Sequence, residues 1–126
     1  MRTYKIGELA RIVNLTPRTI RYYEEIGLLN SVKKVESGRR IYTDEDIRRL
    51  KFIKRLKVLG LSLKEMEELE NIYQINRSNR DALLKLLELL KKHLHNIDSR
   101  IDHLKKLKKE IISYSERIED KLNKEE

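Results

Sequence analysis

The chain has 126 residues, enough for one domain or for a small domain with an appendage. Charged residues make up 40% of it and aromatics 6%, which leaves little for a large buried core but suits a chain with a long solvated helix. It contains no cysteine, so disulfides, thiolate zinc sites and thiol redox sensing are excluded.

The formal net charge is +8, and it is unevenly placed. Residues 1–57 hold 15 Lys and Arg against 7 Asp and Glu, whereas residues 58–126 hold 14 of each. A basic half joined to a balanced half points to a first half that meets a polyanion. The opening residues Met1 to Lys5 lack the apolar run of a signal peptide, and no span approaches membrane length. A cytoplasmic protein with no membrane partner is expected.

A first helix is predicted over Ile6 to Val13, with Ile6, Leu9, Ala10 and Val13 on one face. Asn14-Leu15 reads as a tight turn, since Asn tolerates a left-handed backbone. Thr16 then caps a second helix, and Pro17 suits its first position, where no N–H is missed. That helix runs to about Ile26, and Gly27 can end it. Arg18, Arg21 and Tyr22 share one face, and Ile20 and Tyr23 another. A cationic and aromatic face next to a helix N-terminus suits phosphate. Helix, short turn, helix is the helix-turn-helix pattern of DNA recognition. Tyr22 and Tyr23 are open to two readings, as core aromatics or as phosphate contacts.

Residues 31–42 read as a hairpin. Val32 to Val35 is one strand, Glu36-Ser37-Gly38 the turn and Arg40-Ile41-Tyr42 the return strand. Such a hairpin is a wing, with Arg39 and Arg40 at or beside its turn. A third helix is predicted over Asp44 to Leu59 and a fourth over Leu63 to Tyr73. Their starts carry the cap pairs Thr43 with Asp46 and Ser62 with Glu65, and Ser78 with Asp81 marks one more start. Gly60 marks the third helix's end.

From about Asn79 to Asn123 the chain reads as one long helix. Leu83, Leu87, Leu90, Leu94, Ile97, Ile101 and Leu104 alternate in steps of four and three, an a/d heptad stripe. The stripe resumes at Ile111, Ile118 and Leu122. Lys108 and Ser115 fall on expected core positions, with Leu107 and Tyr114 one residue earlier, so the stripe drifts there. A small domain cannot cover such a helix, and a homodimeric coiled coil is the simplest partner. The a/d pattern alone does not choose between parallel and antiparallel pairing.

His93, His95 and His103 are read as solvated or interface residues, and no metal or other cofactor is expected. The leucine-dense start of the long helix suits a dimer core, or the wall of a small apolar pocket. No Gly-rich phosphate loop, cysteine nucleophile or histidine in the first half marks an enzyme.

Several segments together resemble one family. They are Tyr4-Lys5-Ile6-Gly7-Glu8-Leu9-Ala10, Thr19-Ile20-Arg21-Tyr22-Tyr23-Glu24-Glu25-Ile26-Gly27-Leu28-Leu29, Gly38-Arg39-Arg40-Ile41-Tyr42, Asp46-Ile47, Leu50-Lys51-Phe52-Ile53 and Leu59-Gly60-Leu61-Ser62-Leu63-Lys64-Glu65-Met66. In order and spacing they resemble the MerR family of transcriptional regulators. The resemblance implies a mainly α fold: a winged helix-turn-helix DNA-binding domain at 1–76 and, at 77–126, a long C-terminal helix forming an antiparallel coiled-coil dimer. It implies a homodimer on a near-palindromic, double-stranded promoter site, and RNA polymerase as a partner. Bending and untwisting an overlong promoter spacer is the mechanism it implies, a use of DNA deformability.

Carried onto this chain, Thr16, Arg18, Thr19, Arg21 and Tyr22 would face the major groove and adjacent phosphates. Tyr23 would partly pack and partly approach the DNA backbone. Arg39, Arg40 and Tyr42 would serve the wing, with Lys33 and Lys34 as further backbone contacts. Leu83, Leu87, Leu90, Leu94, Ile97, Ile101, Leu104, Ile111 and Ile118 would form the dimer seam. Metal-sensing members place cysteines near the end of the dimerisation helix, and this chain has none. An architectural, excisionase-like DNA-bending factor is the alternative, as is a regulator controlled by a protein docking on the coiled coil.

Overall fold

A computed structural model describes residues 2–29, 35, 36, 38–76 and 79–125. The elements, in order, are α1 (Ile6–Val13), α2 (Pro17–Glu25), β1 (Val35–Glu36), β2 (Arg39–Arg40), α3 (Asp44–Val58), α4 (Leu63–Asn76) and α5 (Asn79–Lys124). Val32, Lys33, Lys34, Ser37 and Ser78 lie outside the described residues.

The helix boundaries follow local chemistry. The Lys5 N–H donates to the Glu8 carboxylate at 3.3 Å, which starts α1. Asn14 ends it with φ 54°, and the Leu15 N–H donates to the Ala10 carbonyl at 3.0 Å. The Thr16 hydroxyl accepts from the Thr19 N–H at 3.1 Å and starts α2. After α2, Gly27 takes φ 83°, and the Leu28 N–H donates to the Tyr23 carbonyl at 2.9 Å. The Thr43 N–H donates to Asp46 at 2.8 Å before α3. Ser62 and Glu65 exchange bonds of 2.9 and 3.1 Å before α4. The fourth helix runs three residues beyond Tyr73, where it was expected to stop, and ends at Asn76.

The hairpin differs in register from the expected one. Glu36 pairs with Arg39 and Val35 with Arg40, so Glu36 belongs to β1 rather than to the turn. Gly38 takes φ 77°, the left-handed conformation that a tight hairpin turn requires. The return strand stops at Arg40. Tyr42 instead bridges antiparallel to Tyr4, with N–H to carbonyl bonds of 2.8 Å in both directions. The Tyr4 hydroxyl donates to Asp44 at 2.6 Å. The chain's N-terminal segment is thus tied both to the base of the hairpin and to the start of α3.

Two compact units are present, Met1–Leu89 and Leu90–Glu126. In the first, the best-buried side chains are Leu9, Ile20, Leu29, Tyr42 and Leu50, one or more from each of α1, α2 and α3 and from the segments between them. Two long cations reach across this core. The Lys54 ammonium on α3 donates to the Val13 carbonyl at 2.8 Å, and so satisfies the end of α1. The Arg49 guanidinium donates to the Leu28 carbonyl at 3.0 Å and pairs with Glu70 on α4. Burial makes the charged Arg49 harder to hold, and its pKa is lowered accordingly. The first unit continues through Leu89, which is itself buried.

In the second unit, α5 continues with its apolar side chains about half exposed, from Leu94 at 60% to Ile118 at 44%. At the position where the stripe drifts, the Ser115 hydroxyl donates back to the Ile111 carbonyl at 2.8 Å. Its polar group is therefore satisfied within its own helix.

Leu50 is fully buried on α3, which packs against α1. Leu50→Ala should cost about 2–5 kcal/mol through lost burial and the cavity left behind. The check is the urea midpoint at unchanged slope.

Candidate nucleic-acid interface

One face of α2 is committed to the core: Ile20, Tyr23 and Glu24 are buried. The opposite face carries Arg18, Arg21 and Tyr22, all exposed. Among the described residues, no carboxylate pairs with Arg18, Arg21 or Arg39. Their charge is available to an external anion. Thr16 and Thr19 join this face, their hydroxyl oxygens 2.8 Å apart. The Tyr22 ring lies 6.2 Å from that of Tyr23, tilted by 45°. Tyr22 is thus propped against the core while 45% exposed.

Two aromatic residues expected at the interface are buried. Tyr23 is buried on the inner face of α2, which fits the packing half of its expected role. Tyr42 is 1% exposed, and its hydroxyl donates to Glu24 at 2.6 Å. Pairing with Tyr4 turns it inward, so it supports the hairpin from below and does not extend it. Burial, reinforced by the bond to Glu24, raises the pKa of the Tyr42 hydroxyl well above its ordinary value.

Arg40 is half exposed, but its guanidinium donates to the second oxygen of Glu24 at 2.9 Å. It is therefore a tethered cation, whereas Arg39 on the same strand is exposed, with no carboxylate pairing among the described residues. Lys33 and Lys34 lie outside the described residues. Glu24 itself was not anticipated as part of the site. The signal was in the spacing: it follows Ile20 by four residues and so shares the buried face of α2. What the spacing lacks is the partner, which arrives from the hairpin.

The seam residues present a different chemistry. Leu83, Leu87, Leu94, Ile97, Ile101, Leu104, Ile111 and Ile118 are each between 44% and 61% exposed, and Leu90 less so. An open cavity of about 420 Å³ lies in the first unit, walled by Phe52, Leu56, Met66, Leu83 and Leu86. The Arg49–Glu70 pair forms part of its rim, each charge already answered by the other. His95 and His103 are exposed, and His93 partly so. No group of three or more potential metal ligands converges among the described residues. Nor is any helix among them long and apolar enough to cross a membrane.

The family model described as "MerR HTH family regulatory protein" matches residues 4–71, and that described as "MerR, DNA binding" matches residues 47–114. The chain belongs to the MerR family. It is 46% identical over 63 residues to the HTH-type transcriptional regulator ZntR of Escherichia coli, a match covering 50% of this chain and 45% of that protein. Among solved structures it is similar to HiNmlR, a MerR family regulator lacking the sensor domain, bound to promoter DNA. That likeness has a TM-score of 0.63 and 30% identity, and covers 83% of this chain and 77% of the other. It is similar also to the dual-function regulator MerR of Bacillus megaterium in complex with mercury(II), with a TM-score of 0.63 and 28% identity over 90% of this chain and 86% of the other. The chain spans about half the length of the curated relatives it matches.

The buried Tyr42 hydroxyl makes a pH prediction. Its proton is held more tightly in the folded state than in the unfolded one. Its contribution is therefore complete below about pH 10, the unfolded value, and is lost as pH rises above it. Tyr42→Phe should cost about 1–3 kcal/mol at neutral pH by leaving a carboxylate oxygen unpartnered. Above pH 10 the variant should lose stability less steeply than the wild type, by up to about 1.4 kcal/mol per pH unit. Urea titrations across the alkaline range measure both effects.

Proposed function

We propose that this protein is a sequence-specific, double-stranded-DNA-binding transcriptional regulator that acts as a homodimer at promoters. The observation that carries the reading is the outer face of α2, where Arg18 and Arg21 stand exposed without carboxylate partners on the second helix of a helix-turn-helix. Family membership gives that face its context. The proposed DNA-contacting residues are Thr16, Arg18, Thr19, Arg21 and Tyr22 on α2, with Arg39 and Arg40 on the wing. Most such contacts go to phosphates and set register, and only a few read bases. In the sequence, Lys33 and Lys34 add two further positive charges just ahead of β1.

The dimer is inferred from the half-exposed stripe of α5. Forty-six residues extend roughly 70 Å. A lone helix of that length would leave an apolar seam in water over most of its course. Antiparallel pairing of two copies, as the family resemblance implies, covers it and relates two DNA-binding units by a two-fold axis. A near-palindromic site follows from that symmetry. Distortion of the promoter spacer, engagement of RNA polymerase and a cytoplasmic location are carried from the family resemblance as part of this reading.

Selection of bound duplexes from a random pool at physiological salt tests this reading. An enriched inverted repeat of fixed spacing supports a sequence-specific dimer. Salt-sensitive binding with no enrichment would replace it with an architectural DNA-bending protein. Arg21→Ala should weaken binding to all duplexes and flatten the salt dependence by about one unit of slope. Arg18→Ala should relax preference at particular bases, read by repeating the selection with the variant. Leu94→Asp should yield monomers by light scattering that no longer bind the repeat, because a charge would sit in the apolar seam.

A further inference from the structure

Glu24 is a carboxylate on the buried face of α2, behind the face proposed to meet DNA. It lies on the same helix as Arg18 and Arg21, where a free negative charge would repel phosphate. It is nevertheless 3% exposed, with both oxygens engaged. One accepts from the Tyr42 hydroxyl at 2.6 Å, the other from the Arg40 guanidinium at 2.9 Å. Tyr42 is anchored through its backbone to Tyr4, and Tyr4 through its hydroxyl to the start of α3. Arg40 lies in β2 and pairs with Val35 of β1. The carboxylate is therefore the point where α2, the hairpin and the N-terminal segment are joined.

Stability alone is a weak reason for this arrangement. Desolvating a carboxylate is costly, and a half-exposed arginine repays little of that cost. Geometry is the stronger reason. Arginine loses much rotamer freedom when it is fixed on a ligand, and a side chain fixed beforehand spares that loss at binding. The tether also holds the Arg40 charge against α2, three residues along from Arg21, while half of the side chain remains open to solvent.

We propose that Glu24 is a positioning residue for DNA binding: its buried carboxylate holds the Arg40 guanidinium against α2, so that hairpin and helix present their cations to duplex DNA in one register. This rests on the DNA-binding reading above. Glu24 touches no DNA and acts through Arg40.

The test is binding of a fluorescently labelled mixed-sequence duplex over a salt series, so it needs no knowledge of the operator. Arg40→Ala should lower the salt slope by about one. Glu24→Gln should weaken binding about tenfold, as expected when a charge-assisted bond is lost, and lower the slope similarly. Added to Arg40→Ala, Glu24→Gln should bring no further loss, because both act through one cation. Tyr42→Phe removes a bond from the same carboxylate but spares the Arg40 pair, and should keep the wild-type slope. Glu24→Asp, which keeps the charge but withdraws it by one methylene, is the second variant if the glutamine does not melt cooperatively, and should lose the same slope.

Additive losses in the double variant would overturn the proposal, as would an equal loss of slope in Tyr42→Phe, or wild-type binding by whichever Glu24 variant folds. If Arg21→Ala weakens binding and Arg40→Ala does not, the DNA-binding reading stands and this proposal falls. If the wild type shows no salt-dependent duplex binding, both fall.

Discussion

A single carboxylate, that of Glu24, joins the parts of this protein that must act together. It leaves the inner face of α2, receives the Tyr42 hydroxyl and the Arg40 guanidinium, and is shut away from water. A hairpin whose described strands are two residues each has no core of its own and would be marginal in isolation. Here its base is held by the Tyr4–Tyr42 bridge and by the tether to α2. The helix that carries the exposed arginines and the strand that carries the wing arginines are thereby referred to the same buried point.

The remaining frame is built from cations used as struts. Lys54 satisfies the end of α1 and Arg49 the segment after α2, so α3 locks both helices of the helix-turn-helix. Arg49 also pairs with Glu70, which extends the frame to α4. Two of the fifteen basic residues of the first half, Lys54 and Arg49, are thus structural. On α2 and the described strands, the cations open to an external polyanion are Arg18, Arg21 and Arg39 with the open side of Arg40. A count of basic residues overstates the interface, because Lys54 and Arg49 are already spent on carbonyls and a carboxylate.

The long helix poses the opposite problem. Its first turns are absorbed into the first unit, where Leu89 is buried. Beyond them the stripe from Leu94 to Leu122 stands half exposed. At Ser115 the helix satisfies its own polar group, which removes one obstacle to covering the stripe. A second copy would supply a surface of the same length and periodicity, which is why the proposed dimer and the two-fold symmetry of the proposed DNA site form one inference.

The helices were legible in the sequence because their determinants are local. Thr16 with Pro17, Thr43 with Asp46, and Ser62 with Glu65 act within one turn, and Asn14 and Gly27 need only their own backbone freedom. The heptad stripe of α5 is legible for the same reason. The hairpin's register was less so: Glu36 entered the strand, and Tyr42 left it for a partner 38 positions earlier in the chain. Tyr23 shares a helical face with Ile20 and so was separable from the exposed Tyr22, but Tyr42 carries the same side chain in the hairpin segment and nothing local marks it as core. By itself, then, the sequence determined where helices begin and end, which face of α2 is cationic and that α5 needs a partner, since caps and periodicity act over a few residues. Only the tertiary structure decided that Tyr42 is core, that Arg40 is tethered and that Glu24 holds it. Those outcomes depend on side chains brought together from 16 and 18 positions apart, which no local pattern encodes.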